Sequence, residues 1–316
     1  MTPSVRPFAP EDAPAWLALV NRVTGRQTTL DAFHAEEARR TSAHFSRRWV
    51  VGEREELRGL AHLYAFPFDP PGFLHASILV APEARGQGPG QALWHTLEAA
   101  ARKHGAAGLA ADVAETDSGS LRWAERRGFG VHAHRFASEL DLMTFGETPH
   151  LPALARARAR GVAFTDPGAA GGRTVERYLA FVADRLTETP DLAGHPRWPS
   201  AQVREALRLD GHGRLDWLIL AVGPGGHWLG TAAVIPQRDL AHNLLTATHP
   251  EARGQGLALP LKLHAIRRAR AAGFRVMRTN NHSQNAPMLA VNRRLGFESR
   301  PGRYALHLPL AATSGA

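Results

Sequence analysis

The chain has 316 residues, 44% hydrophobic and 21% charged, and its lack of cysteine excludes disulfides, thiolate metal ligands and a cysteine nucleophile. No apolar run approaches the roughly 20 residues of a membrane helix, and the N-terminus lacks a signal-peptide pattern, so we expect a cytoplasmic protein with no membrane span. The net charge of +9 would suit nucleic acid or a phosphate-bearing cofactor, but scattered arginines without zinc-finger spacing or an RNA-binding signature disfavour nucleic acid.

In the first half of the chain, predicted strands and helices alternate. The segment "VRPF" predicts a short strand and "APAWLALVNRV" a helix. A hairpin follows with its turn at Gly52 to Glu56, and then a strand that ends at Pro82. Apolar residues recur at helical spacing in "GQALWHTLEAAARKHG", which predicts a helix that stops at Gly105. The strand "GLAADV", the helix "SLRWAERRGF" and the strand "HRFASELDL" complete this half.

The second half repeats that order. Between the halves, "ALARARARG" alternates alanine and arginine and predicts a solvated linker helix. A strand "GVAFTD", a helix "TVERYLAFVADRL" and a hairpin with a Pro-Gly-Gly turn come next. They are followed by "NLLTATHP", "LPLKLHAIRRARAAG", "FRVMRTNN", "APMLAVNRRLGF" and "RYALHLPL" as strand, helix, strand, helix and strand. The irregular segment "TPDLAGHPRWP" is either a substrate loop or a plain connector.

An internal repeat explains this order. The heptapeptide Pro-Glu-Ala-Arg-Gly-Gln-Gly occurs twice, with its arginines at Arg85 and Arg253. A closing Gly-Phe pair recurs at the same offset, with its phenylalanines at Phe129 and Phe297. A constant offset over so long a stretch predicts two copies of one α/β domain, each with a mixed sheet. We therefore predict domains at 1–147 and 162–316, joined by a linker at 148–161.

Each copy places its glycines between a strand and a helix, which is suited to binding phosphate. The first amides of a helix have no partner within the helix, and glycine lets the backbone approach a ligand closely. A pyrophosphate could therefore bind the amides of residues 85–90 or 253–258. Neither copy has the Gly-Lys-Ser/Thr of the Walker loop or the Gly-x-Gly-x-x-Gly dinucleotide fingerprint.

The motif Val-x-Pro-x-x-Arg-Gly-x-Gly-x-Gly/Ala, with Gly-Phe closing a later helix, resembles the GCN5-related N-acetyltransferase (GNAT) superfamily. The tandem arrangement is similar to that of mycothiol synthase-like bacterial acetyltransferases. The resemblance implies two domains, each a mixed, mostly antiparallel twisted sheet flanked by helices. It also implies acetyl-coenzyme A (acetyl-CoA) as cofactor, a small-molecule amine as substrate, and a monomer or homodimer. The cofactor-binding residues it implies are Val80, Arg85, Gly86, Gln87, Gly88, Gly90, Thr248, Arg253, Gly254, Gln255, Gly256, Ala258 and Asn285.

The resemblance also suggests which copy is catalytic. Counted back from the closing phenylalanine, the superfamily usually has an asparagine and then a tyrosine, the general acid, at two fixed positions. Copy two has Asn285 and Asn292 at these positions, and copy one has Asp117 and Ala124. We therefore expect copy two to be catalytic, with copy one degenerate or supporting. Asn292 can donate a hydrogen bond to sulfur, but it cannot supply a proton at neutral pH.

Two further residues complete the predicted catalytic set. Tyr304 lies on the last strand of copy two where copy one has Phe136, so it is either a replacement acid or a strand aromatic. Asn281, with Asn280 beside it, ends a strand and either lines the acetyl pocket or begins a turn. The carboxylates Asp112 and Glu139 are the candidate bases of copy one, although ordinary surface roles fit them better.

Two functions follow from these residues. The first is transfer of an acetyl group to an amine by direct attack, because the absence of cysteine excludes a covalent acetyl-cysteine route. The alternative, motivated by the missing tyrosine, is a non-catalytic acyl-CoA-binding sensor or regulatory module. His132 and His134 share one face of a strand, but no third ligand stands at a suitable spacing, so we predict no metal site.

Overall fold

The fold was determined as a computed structural model that describes residues 3–39, 45–170, 172–211 and 213–310. These residues form helices interspersed with runs of strands, and the strands pair in both directions, which confirms the predicted α/β class with a mixed sheet. No helix among the described residues has the length and apolar character needed to span a membrane. The helices are α1 Ala13–Thr24, α2 Leu30–Arg39, α3 Pro89–Lys103, α4 Ser118–Glu125, α5 Leu151–Ala159, α6 Gly172–Thr187, α7 Ser200–Ala206, α8 Ala258–Ala271 and α9 Ala286–Arg294.

The strands pair mostly antiparallel, as predicted, and the chain forms two compact units. Unit 1 comprises the described parts of 1–113, 117–132 and 304–316, and unit 2 comprises those of 114–116 and 133–303. The strands are β1 Val5–Pro7, β2 Ser46–Gly52, β3 Leu57–Tyr64, β4 Phe73–Val80, β5 Gly108–Ala114, β6 Gly130–Asp141, β7 Ala163–Thr165, β8 Leu218–Val222, β9 Trp228–Gln237, β10 Leu240–Thr248, β11 Val276–His282, β12 Glu298–Ser299 and β13 Arg303–Pro309.

Unit 1 contains the strand order β1-β2-β3-β4-β5-β13. The β4–β5 pair is parallel, and the pairs among β1 to β4 are antiparallel. Neighbouring residues of one strand point to opposite faces of a sheet, so Val51 packs with α3 in one core and Val50 with α1 in another. Helix α3 buries Leu93 and Leu97, one helical turn apart, in the first of these cores.

Unit 2 contains the order β6-β11-β10-β9-β8-β7, with β12 paired to β6. The β10–β11 pair is parallel, and the other neighbours in this order are antiparallel. Helix α8 packs in a core with Ile219 of β8 and Val234 of β9. Helix α6 is attached through the buried Tyr178, whose hydroxyl lies 2.6 Å from Thr231 Oγ1 on β9.

The two units of the structure do not coincide with the two repeats of the sequence. Most of β6 (Ala133–Asp141) lies in unit 2, whereas β13, the last strand of the second repeat, lies in unit 1 from Tyr304 onward. The linker prediction needs a related correction: α5 is a helix, but it is not fully solvated. Ala153 and Ala157 are buried in the core of unit 2 because they share one face of this short helix.

Candidate active site

Both glycine loops have the same backbone path from strand to helix. In unit 2, β10 ends at Thr248, a 3-10 turn covers Pro250–Ala252, and α8 begins at Ala258. Gly254 and Gly256 have φ of 72° and 73°, a region that favours glycine. A Cβ at either position would meet no described atom within 4 Å. The space beside these two glycines is therefore open, and the first amides of α8 follow them directly, which fits a bound pyrophosphate.

The loop of unit 1 follows the same path. Gly86 and Gly88 have φ of 73° and 97°, and α3 begins at Pro89. Gly90 lies in the first turn of α3, where a Cβ would come within 3.4 Å of Val80 Cγ2 on β4. These glycines therefore have two roles: the first two allow the turn, and the third lets the helix pack closely on the strand.

Side chains from the repeated motif brace each loop internally. Gln87 Nε2 donates to the Glu83 carbonyl oxygen at 2.7 Å, and Gln255 Nε2 donates to the equivalent Glu251 oxygen at 3.0 Å. The two glutamines predicted to bind cofactor thus hold the turn through their amides. In unit 2 the predicted pyrophosphate ligand Arg253 donates to Glu188 Oε2 at 2.6 Å. An anion at this loop would compete with that carboxylate for the guanidinium group.

The parallel strand pair of each unit opens toward its glycine loop. In unit 2 the β10–β11 register covers only Ala241 and His242, although β10 continues to Thr248. In unit 1 the β4–β5 register stops at His75, and β4 continues to Val80. Each gap begins between parallel strands and ends at a helix N-terminus. A long flexible chain attached to a pyrophosphate could bind there and pair with free backbone groups of β10 or β4.

A β-bulge interrupts β10 where the gap of unit 2 begins. Asn243 pairs with Val234 of β9, but Leu245 pairs with the next residue, Ala233, so Leu244 is an extra residue. The matching β3–β4 ladder of unit 1 runs from Gly59↔Val80 to Tyr64↔His75 without a shift. Bulges re-aim neighbouring groups and are common next to active sites. The two units therefore differ at the end of the gap where the parallel strands are still paired, which we call the closed end.

Two of the predicted catalytic residues meet in a buried polar network in unit 2. Asn292 Nδ2 donates to Asn281 Oδ1 at 2.7 Å, and Asn281 Nδ2 donates to Ser138 Oγ at 2.9 Å. Asn281 also donates to the Phe136 carbonyl oxygen on β6. The Asn292 Oδ1 atom is buried and accepts no hydrogen bond among the described residues. An unpaired buried acceptor is costly, so this oxygen is a place for a ligand or water donor.

The sequence analysis did not identify Lys262 and Asn243, which extend the polar interior of unit 2. Lys262 on α8 is 1% exposed, and its Nζ donates to Asn243 Oδ1 at 2.6 Å. The ammonium group also lies 4.9 Å from the centre of the Phe297 ring. Burial lowers the pKa of Lys262 to about 7. The chain has only two lysines among its 38 basic residues, and this rarity was the available signal.

Three of the four matching positions in unit 1 are apolar. The repeat aligns Lys262, Asn281 and Asn292 with Trp94, Val113 and Ala124. Trp94 and Ala124 are buried in the core of unit 1, and Val113 packs against it. At these three positions unit 1 is apolar and unit 2 is polar, whereas the fourth residue, Asn243, matches the buried His75, whose Nδ1 lies 3.0 Å from Asp69 Oδ2.

Asn285, predicted to bind the cofactor, is the N-cap of α9. Its Oδ1 accepts a hydrogen bond from the Met288 amide at 3.4 Å. Asp117 caps α4 in the same way, accepting from the Ser120 amide at 2.9 Å. The residue pair is therefore structurally equivalent, and the two units differ in the charge of the cap.

Tyr304 lies in a different unit from the other predicted catalytic residues. It packs against the core of unit 1 on β13, whereas Asn281 and Asn292 belong to unit 2. The antiparallel partner of Asn281 in unit 2 is Phe136, which has no hydroxyl group. The sequence analysis assigned Tyr304 to copy two because it follows the other residues of that copy in the chain. In the structure the last strand of each repeat belongs mostly to the other unit.

The remaining polar candidates are either exposed or part of an ion pair. Asn280 is exposed on β11, and Asp112 is exposed on β5. Glu139 accepts hydrogen bonds from Arg278 and from Arg300, and both cations hold its pKa below the usual range despite burial. Glu139 is thus an ion-pair partner in unit 2. Among the described residues, no group of three histidines, cysteines or carboxylates has a metal-binding arrangement.

Two glycine loops on opened parallel strands fit the acetyltransferase class expected from the sequence, and comparison with known proteins identifies the family. The model of the acetyltransferase (GNAT) family matches residues 14–129, and that of the acetyltransferase (GNAT) domain matches residues 153–279. The chain belongs to the GNAT family and is a tandem acetyltransferase.

Relatives with a stated activity match part of the chain. L-methionine sulfoximine/L-methionine sulfone acetyltransferases from Pseudomonas paraeruginosa and Pseudomonas aeruginosa are 33% and 32% identical over 117 residues. The match covers 35% of this chain and 63% of each relative, so the chain spans less than two thirds of their length.

Solved structures match the whole chain in fold. A tandem GNAT protein from the clavulanic acid biosynthesis pathway has a TM-score of 0.68 at 22% identity, covering 99% of both chains. A GCN5-related N-acetyltransferase from Sphaerobacter thermophilus has a TM-score of 0.69 at 17% identity, covering 98% of this chain and 97% of that one. At these identities the likeness establishes the tandem fold alone.

Proposed function

We propose that the protein transfers the acetyl group of acetyl-CoA by direct attack to a small-molecule amine, and that unit 2 carries the reaction. The observation that carries this proposal is the combination found in unit 2: an opened β10–β11 pair, an unobstructed glycine loop and a hydrogen-bonded interior beside them. Unit 1 also has an opened parallel pair and a glycine loop, but a Cβ at Gly88 would lie 3.5 Å from Pro3, and the residues that match Lys262, Asn281 and Asn292 are apolar.

The cofactor would bind along β10 and the glycine loop. The amides of residues 253–258 would hold the pyrophosphate, and the backbone of residues 246–248 would pair with the pantetheine arm. The same loop in unit 1, residues 85–90 after Val80, would form a second cofactor site. Acetyl-CoA supplies the activated acetyl thioester when it is bound.

The residues of unit 2 suit direct transfer. An ordinary alkyl amine has a pKa near 10.4, so it must lose a proton before it attacks. The Asn281–Asn292 pair offers hydrogen bonds at the interior side of the gap, but an amide cannot supply a proton at neutral pH. Its role would be to orient and stabilise groups by hydrogen bonding, with proton transfer passing to water or substrate.

The relatives suggest which amines to test first. The two Pseudomonas proteins are named for methionine sulfoximine and methionine sulfone, which are amino acids with a free α-amine. We therefore propose amino-acid amines as the first class of acceptor. The alternative, a non-catalytic acyl-CoA sensor, is favoured by the absence of a tyrosine at positions 124 and 292.

Calorimetric titration with acetyl-CoA of the wild type, Gly88→Glu and Gly256→Glu tests the proposal. Each added carboxylate should block and repel pyrophosphate in one loop. Controls are Gly105→Glu and Gly273→Glu, which also have positive φ (75° and 83°) but lie at the far end of α3 and α8. A Cβ has open space at both control positions and at Gly256, whereas at Gly88 it would lie 3.5 Å from Pro3. We expect Gly256→Glu to abolish binding to unit 2 and the controls to bind normally.

Turnover is measured on the same variants as thiol release with L-methionine sulfone and a panel of other amines. We expect release to be lost in Gly256→Glu and retained in Gly88→Glu. Loss in Gly88→Glu alone would assign the reaction to unit 1. Binding without turnover on any amine would support the sensor, and no binding by the wild type would overturn both functions.

A further inference from the structure

We infer that Lys262 and Asn243 form a positioning pair that holds the bulge of β10 in the shape that receives the acetyl end of the donor. The inference rests on the proposed function of unit 2 and adds a positioning role for two residues outside the expected site. Neither residue lies in the glycine loop or in the predicted catalytic set. Their contacts connect α8 to the closed end of the gap.

The bulge lies where the reactive end of a bound donor would reach. The parallel ladder ends at His242↔Arg278, and the bulge begins at the next residue, Asn243. From Thr248 back to Asn243 are five residues, or about 17 Å at about 3.3 Å per residue. A donor with its pyrophosphate at the glycine loop and its arm along β10 would therefore point its thioester at the bulge.

Asn243 supplies hydrogen bonds at the disrupted ladder. A bulge leaves backbone groups without their regular partners. Asn243 Nδ2 donates to the Leu245 carbonyl oxygen at 3.0 Å and to the Ala233 oxygen on β9 at 3.1 Å. Thr279 Oγ1 of β11 donates to the Asn243 carbonyl oxygen at 3.0 Å. One side chain thus connects both sides of the irregularity.

Lys262 fixes the orientation of that side chain. An amide can turn over and exchange its oxygen and nitrogen, and only its neighbours decide which way it faces. Lys262 Nζ at 2.6 Å and Thr246 Oγ1 at 3.0 Å both donate to Asn243 Oδ1. These two donors direct the amide nitrogen toward Leu245 and Ala233. Arginine would not replace this lysine, because it is larger and does not lose its charge in a buried position.

Unit 1 shows that the fold itself does not require this pair. Trp94 and His75 occupy the positions that match Lys262 and Asn243, and β4 pairs regularly with β3. Burying a lysine in place of an apolar residue is expensive, and here burial lowers its pKa by several units. The expensive pair and the bulge occur together in unit 2 and are both absent from the described residues of unit 1.

Lys262→Met tests the inference, with the exposed Lys103→Met as its matched control. Methionine keeps the length and removes the hydrogen bond. The first measurement, hydrogen exchange without any ligand, compares 240–248 with 73–80, the equivalent strand of unit 1. We expect exchange in 240–248 to rise at least about tenfold, equal to roughly 1.4 kcal/mol. Unchanged exchange there would overturn the inference.

The second measurement is the ratio of the affinities for acetyl-CoA and for CoA, by calorimetry. We expect Lys262→Met to bring this ratio close to one while CoA itself binds within about threefold of the wild type. A merely structural role would weaken both ligands alike and would overturn the inference. Lys262→Gln, whose amide can still donate, should restore much of the acetyl preference.

Two outcomes need separate treatment. If Lys262→Met does not fold, Asn243→Ala decides: a lost acetyl preference with intact CoA binding supports the inference, and a retained preference overturns it. If the wild type binds neither ligand, the proposed function fails. The exchange measurement then still decides whether Lys262 and Asn243 hold the bulge.

Discussion

Single residues at matching positions separate the chemistry of the two repeats. The apolar Val113 and Ala124 of unit 1 need no partners, whereas Asn281 and Asn292 of unit 2 must be hydrogen-bonded where they are buried. Asn292 Oδ1 is buried without a partner among the described residues, which costs about 1–3 kcal/mol. Because the unpaired oxygen destabilises the fold, its presence is better explained by a hydrogen bond to a bound ligand than by a contribution to stability.

The buried Lys262 makes stability depend on pH in a defined direction. Its pKa is 10.5 when solvated and about 7 in the folded chain, so between these values the unfolded state binds more protons. Folding stability should therefore rise with pH above 7, by at most about 1.4 kcal/mol per pH unit. We predict that wild type gains stability relative to Lys262→Met from pH 7 to 9 in urea denaturation, with a constant difference below pH 6.

The nearby His242 does not change its charge in this pH range. His242 has its pKa lowered by burial to about 4, so it stays neutral above pH 7. Because Lys103 is the only other lysine, isotope-labelled lysine gives two resonances, and the exposed one is an internal control. A stability difference that is flat from pH 7 to 9, or two resonances that titrate together, would contradict the prediction.

The sequence predicted part of this site and missed part for a physical reason. Asn281 and Asn292 were found because they stand at defined distances from a strand end and a closing phenylalanine. Lys262 was missed because a charged residue in a helix is normally solvated, and the rarity of lysine in this chain was the one signal that set it apart. Asn243 was missed because a bulge depends on the pairing of two strands, which a single strand does not encode.

At the scale of elements, the prediction was best where periodicity and caps agree. The hairpins, the helices after both glycine loops and the strands before them were found from apolar spacing and glycines. Helix α2 was missed because its residues are mostly polar and it attaches through Phe33. Its start did carry a signal, since Thr29 Oγ1 accepts a hydrogen bond from the Ala32 amide.

The caps of α4 and α9 allow the structural and functional roles of Asn285 to be separated. We predict that Asn285→Ala lowers the free energy of unfolding by about 0.5–1 kcal/mol, because its 3.4 Å cap bond is long. Asn285→Asp should keep the stability, since a carboxylate is favourable at a helix N-terminus. It should also weaken acetyl-CoA binding, because the new charge would face an anionic cofactor. Thermal unfolding and calorimetry measure the two effects.

Asp117→Asn is the reciprocal control in unit 1. It should leave stability near the wild-type value and should not weaken acetyl-CoA binding. If Asn285→Asp binds acetyl-CoA as well as the wild type does, Asn285 is a helix cap and has no role at the cofactor.

At the scale of the whole molecule, the repeat in the sequence predicted two domains but not which strands each unit contains. The constant offset of the repeat assigns β13 to the second copy, yet Leu306 on β13 is fully buried in the core of unit 1. Leu140 on β6, from the first copy, is buried in the core of unit 2. The two strands share most of their apolar spacing, with Phe136 and Leu140 matching Tyr304 and Leu308, and they differ where Ser138 matches Leu306. Local pattern alone therefore could not decide the assignment.

This exchange predicts that core mutations destabilise the opposite repeat from the one that carries them. Leu306→Ala removes a buried side chain from unit 1 and Leu140→Ala removes one from unit 2, and each should cost about 2–5 kcal/mol. Hydrogen exchange should therefore rise in α3 for Leu306→Ala and in α8 for Leu140→Ala, because local opening follows the core that loses contacts. The reverse pattern would assign each last strand to its own repeat. Equal exchange in both helices would mean that the two cores unfold as one cooperative unit, contrary to the division that these strands define.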